Sequence, residues 1–65
     1  MSHHTEKTIW YCMVTPFQRL SLRVNSEGVY RVWIEDEQHG GEDELINTLD
    51  ETRAKEVYDY YKNLP

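Results

Sequence analysis

The chain has one cysteine, Cys12, so no disulfide can form within it, and the spacing of its Cys and His residues matches no structural zinc site. Two common staples of a very small domain are thus missing, although a chain near this length of 65 residues buries only about 60% of its unfolded surface. A lone thiol fits a reducing compartment, and a cytoplasmic location is expected. No apolar run approaches the roughly 20 residues that cross a bilayer, and the opening MSHHTEKTIW lacks the basic and apolar regions of a signal peptide. Cations are few. Seven Lys and Arg stand against 12 Asp and Glu, a net charge of −5 and the wrong sign for gripping a phosphate backbone. Three glycines and two prolines form no low-complexity linker, and no segment repeats. The expectation is one domain over residues 1–65, with residues 1–6 a polar, mobile tail.

What is present is a set of aromatic and aliphatic residues in regular alternation. Lys7 to Val14 places Ile9, Tyr11 and Met13 on one side and Trp10, Cys12 and Val14 on the other, the pattern of a strand. Thr15-Pro16-Phe17 breaks it, because proline cannot donate to a ladder. Gln18 to Val24 alternates again, with Leu20, Leu22 and Val24 facing opposite to Arg19, Ser21 and Arg23. Asn25-Ser26-Glu27-Gly28 suits a type I turn closed by a left-handed glycine bulge. That turn sets Val24 opposite Tyr30, Leu22 opposite Val32 and Leu20 opposite Ile34, so turn chemistry and hydrophobic pattern agree on one register. For the first hairpin the same matching puts Met13 opposite Leu20, Tyr11 opposite Leu22 and Ile9 opposite Val24.

Asp36 to Asp43 reads as an acidic loop, and Glu44 to Thr48 reads equally as a short fourth strand or an extended lead-in. Thr48 with Glu51 matches a capping box, and Ala54, Val57, Tyr58, Tyr61 and Leu64 recur at helical spacing over about 15 residues. The fold class expected is α+β: a three-stranded antiparallel meander, with room for a short fourth strand, covered on one face by a C-terminal helix in the order β-β-β-α.

One helix covers one face of a sheet. The expected register leaves Trp10, Arg23, Arg31 and Trp33 together on the other, where a guanidinium can lie over an indole. Trp and Arg also dominate interface hot spots, and two exposed tryptophans make a larger apolar patch than a monomer usually shows. Against this, arginine stems packed over a tryptophan can simply shield a solvated face. Charge is segregated: Glu35 to Glu51 holds eight acids and no Lys or Arg. Glu37, Glu42, Asp43 and Glu44 are therefore candidates to grip a basic partner, although a solvated acidic loop is the simpler reading.

Catalysis finds little support. No His or acid is placed beside Cys12 to activate it. His3, His4 and His39 lack zinc spacing, Asp36 to Glu44 does not match a calcium loop, and Gly40-Gly41 lacks the flanks of a phosphate loop. No cofactor, no metal and no enzymatic activity are expected. The expected function is a small acidic protein-binding module, regulatory or inhibitory, that meets a protein partner through Trp10, Arg23, Arg31 and Trp33. The resemblance to phage and mobile-element accessory proteins is one of size and composition only. The alternatives are a single-stranded nucleic-acid binder using the same four residues, and a homodimer that buries the open face with no separate ligand.

Overall fold

Every strand of this protein pairs with the strand next to it in sequence. The computed structural model describes residues 6–64. Strands β1 (Lys7–Thr15), β2 (Gln18–Val24), β3 (Tyr30–Asp36) and β4 (Gly41–Thr48) form one antiparallel sheet in the order β1-β2-β3-β4, and helix α1 (Glu51–Lys62) follows. The turn at Asn25 sets the middle of the sheet. Its side-chain oxygen accepts from the N–H groups of Glu27 and Val29, and Gly28 sits at φ 82°, where only glycine is unstrained. From there Val24 faces Tyr30, Leu22 faces Val32 and Leu20 faces Ile34, as the hydrophobic pattern requires.

The first hairpin differs from expectation. Thr15 pairs with Gln18 across Pro16-Phe17, but Val14 is then an extra residue, and Met13 pairs with Arg19 instead of Leu20. A bulge of one residue inverts every side chain beyond it. Trp10 therefore stands opposite Leu22, and Cys12 opposite Leu20, on the helix side of the sheet. Tyr11, opposite Ser21, and Met13 look away from the helix. A second irregularity at Ile9 packs that residue against the core next to Trp10. The expectation that Trp10 belongs to the open face is thus corrected.

The acidic segment also differs. The Asp36 carboxylate accepts from the N–H groups of Gln38 and His39, and Gly40 takes φ 69°, so the chain reverses within a short turn and β4 begins at Gly41. The fourth strand is present, and it is longer than Glu44–Thr48. Glu42 and Asp43, expected in a loop, consequently line an edge strand together with Glu44; Glu37 alone of the four stays in the turn. An extra residue at Leu45 turns that side chain to the helix side with Ile46, while Glu44 stays opposite Trp33.

The core is small: Leu20, Leu22 and Val32 from the two middle strands meet Ala54 and Tyr58 of the helix, all at most 5% exposed. Asp50, not Thr48, caps α1, its carboxylate accepting from Arg53 N–H at 3.2 Å, while Thr48 Oγ1 accepts from Asp50 N–H. Glu51 and Lys55 form the expected i,i+4 pair at 3.2 Å. With 12 residues, α1 leaves the β1 margin of the sheet partly bare, and Trp10 remains 43% exposed there despite a tilted ring contact with Tyr58.

Candidate functional site

The sheet face opposite the helix carries a layer of paired charges around one indole. Ser21, at its centre, is only 2% exposed although nothing from the helix reaches it, because side chains of the neighbouring strands close over it. Trp33 lies directly across from Ser21 on one side and Glu44 on the other. The Arg31 guanidinium sits 4.6 Å from the Trp33 ring centre and that of Arg23 5.8 Å, a double cation–π contact.

Three carboxylates hold those two guanidinium groups. Arg31 donates from Nε to Glu44 and from Nη1 to Glu6, each at 2.6 Å. Arg23 donates to Glu35 at 3.1 Å and lies 3.8 Å from Glu6. Hydrogen bonding to Glu44, ahead of that to Glu6, raises the Arg31 pKa above its ordinary value. The Trp33 indole N–H is covered yet has no acceptor. Along the β1 margin of this face Tyr11 and Met13 are 67% and 48% exposed.

Of the residues expected at the site, Arg23, Arg31, Trp33 and Glu44 are brought together. Trp10 is on the other face, between Tyr58 at 5.4 Å between ring centres and the Lys55 ammonium at 5.2 Å. Glu37 reaches Arg19 at 3.4 Å, Glu42 stands opposite Glu35, and Asp43 stands opposite Ile34 on the helix side. Tyr11, Met13, Glu35 and Glu6 complete the face. Glu35 is legible there from β3 alternation; Tyr11 and Met13 depend on the bulge at Val14; and Glu6 falls in the segment expected to be a mobile tail, whose residues 1–5 lie outside the described ones.

The helix side offers one sharply perturbed group. Burial, and secondarily its contact with the Cys12 thiol, pushes the Tyr58 phenol well above its ordinary 10.0. The folded state therefore holds Tyr58 neutral, and the stability this confers is whole below pH 10 and is lost as the pH climbs from there toward the folded value. A Tyr58→Phe variant is expected to lose the most alkaline component of the absorbance titration at 295 nm and part of the alkaline loss of stability.

His39 Nδ1 lies 2.9 Å from Asp36, and this bond, ahead of the turn N–H groups, lowers the Asp36 pKa below its ordinary value. Among the described residues no three His, Cys, Asp or Glu side chains gather as a metal ion would need, and His3 and His4 lie outside those residues. No helix among the described residues is long and apolar enough to cross a membrane. Compared with known proteins, the chain matches no family model, no curated protein and no solved structure.

Proposed function

We propose that the chain is a non-enzymatic protein-binding module, regulatory or inhibitory in kind, that receives a protein partner on the open face of its sheet. The observation that carries this reading is Trp33, a half-buried indole under two guanidinium groups, with an unpaired N–H and with exposed Tyr11 and Met13 on the β1 side of the same face. Trp, Tyr and Arg anchor interfaces because they bring large contact area with few rotamers to freeze. Arg23 and Arg31 are already held by Glu6, Glu35 and Glu44, so docking would order them little further. The same pairing removes the free positive charge that a phosphate backbone would need. The acids of β4 and the net charge of −5 favour a basic partner during encounter.

Capture on the immobilised chain from extracts of its native cells tests this. Trp33→Ala is compared with Leu49→Ala, a change at a residue 74% exposed ahead of the helix. The expected result is a protein retained by the wild type and by Leu49→Ala but bound about 30-fold more weakly by Trp33→Ala, the size of a hot-spot loss, with unchanged circular dichroism. Equal retention by Trp33→Ala, or retention that nuclease abolishes, overturns the proposal.

A further inference from the structure

The two edges of the sheet are built differently. The outer strand β4 carries Glu42, Asp43 and Glu44 in succession and an extra residue at Leu45, both of which discourage another strand from adding on. On β1 the only charge is Lys7 and no proline interrupts it; its two irregularities, at Ile9 and Val14, flank a stretch from Trp10 to Met13 that runs in unbroken register against Leu22 to Arg19.

The direction of its free backbone groups follows from the ladder. Asn25 N–H donates to Val29 C=O at 3.0 Å and Glu37 N–H to Phe17 C=O at 2.7 Å, so alternate residues of β2, Arg19, Ser21 and Arg23, turn their backbone groups to β3. Leu20 and Leu22 turn theirs to β1, where Cys12 and Trp10 answer them. That leaves the N–H and C=O of Tyr11 and Met13 pointing out of the sheet. The side chains at this edge are exposed above and below it: Tyr11 and Met13 on the open face, Trp10 on the helix side.

We infer that this edge pairs with the same edge of a second copy, antiparallel about a two-fold axis through Cys12, with Tyr11 opposite Met13 of the second copy. That register satisfies the outward N–H and C=O of both residues on both copies. Setting Tyr11 opposite itself would instead require Met13 to hydrogen-bond with Ile9, at one irregularity, whereas the inferred register asks only a side-chain contact of Val14, at the other. In the inferred register Tyr11 packs beside Met13 across the axis on one face, and Trp10 meets Val14 on the other. The two Cys12 residues face each other as a non-hydrogen-bonded pair, with Cα atoms about 4.5 Å apart.

The symmetry of the edge selects a second copy as the occupant, because its two outward residues, Tyr11 and Met13, flank Cys12 and answer each other across a two-fold axis, and charge does not prevent it. Two chains of net charge −5 repel, yet the β4 acids stand three strands from β1, about 14 Å at a spacing of about 4.8 Å and beyond a Debye length of about 8 Å. Pairing through β1 sends the acidic edges to opposite ends of a continuous sheet, and a two-fold contact needs only a self-complementary patch. The inferred pairing shares Tyr11 and Met13 with the proposed partner face but leaves the ring of Trp33 uncovered, so the two can be tested apart.

Sedimentation equilibrium of the full chain in reducing buffer, over a wide concentration range, reads it directly. The wild type is expected to rise from the mass of one chain to twice that mass. Met13→Pro removes an N–H that points away from β2, so it is expected to remain monomeric with unchanged circular dichroism. Should that variant not fold, Tyr11→Lys with Met13→Lys sets like charges opposite one another across the axis and is expected to give the same monomer. With dissolved oxygen in place of the reductant, to take the two electrons and two protons that the paired thiols give up, the wild type is expected to form a Cys12–Cys12 disulfide, and the monomeric variant about tenfold more slowly. Trp33→Ala is expected to dimerise normally, which separates this result from the fate of the proposed function. A wild type monomeric at every concentration, or a dimer that survives these β1 changes, overturns the inference.

Discussion

Replacing Leu22 with alanine is expected to lower stability by about 2–5 kcal/mol, a large share of the roughly 3–10 kcal/mol available to a chain of this length. Leu22 is fully buried, with Trp10 opposite it on one neighbouring strand and Val32 on the other. Among the described residues the buried cluster is Leu20, Leu22, Val32, Ala54 and Tyr58, and the partly buried apolar side chains around it are anchored on the sheet and helix, so they fill the space left behind only in part. Urea unfolding at a fixed chain concentration measures the effect, and a lower midpoint with unchanged slope is the expected form. Leu49→Ala, at a residue 74% exposed ahead of the helix, is expected to shift stability by less than about 0.5 kcal/mol. A loss below about 1 kcal/mol for Leu22→Ala would contradict the placement of this residue beneath the helix.

Replacing Arg31 with alanine is expected to cost about 1–2 kcal/mol. Individual ion pairs on a protein surface contribute little, about 0–1 kcal/mol each. Arg31 differs in serving three groups at once: Glu6, Glu44 and the face of Trp33. Its removal leaves the carboxylates without a shared counterion and uncovers the indole. Because part of the effect is electrostatic, the gap between variant and wild type is expected to narrow as salt is raised. Arg31→Lys is expected to recover only part of the loss, since one ammonium cannot reproduce donation from Nε to one carboxylate and from Nη1 to another. Thermal unfolding of both variants at low and high salt provides the check.

The sequence discloses the centre of this fold better than its margins. Asn25 and Gly28 specify a turn, the turn specifies a register, and the leucines of β2 confirm it, so Arg23, Arg31 and Trp33 can be placed on one face from spacing alone. The β1 side is different. Thr15 does pair with Gln18 as a hairpin over Pro16-Phe17 implies, but the extra residue at Val14 leaves no mark in the sequence, because both parities of β1 present apolar side chains to a core. The choice between them is made by packing: Trp10 fits against Tyr58, and Cys12 lies beside the same ring. On β4 the first residues are acids on an outer strand, where no buried face imposes alternation, so they read as loop. The helix start shows the same effect at small scale. Thr48 and Asp50 are both good capping residues, but Thr48 is still paired with Tyr30 as the last residue of β4, and Asp50 takes the cap.

The neighbour-to-neighbour pairing of the strands bears on how quickly the chain finds its structure. Each hairpin closes a loop of only a few residues, and closure entropy grows slowly with loop length, so the barrier to laying down successive strands is low. Hairpins of this kind assemble in about 1–10 μs. Docking of α1 onto Leu20, Leu22 and Val32 brings together residues much farther apart in the chain, and it covers the centre of the apolar side. The sheet without its helix is therefore the species that exposes leucine to water, and the speed of that final docking governs how long the folding chain is open to aggregation.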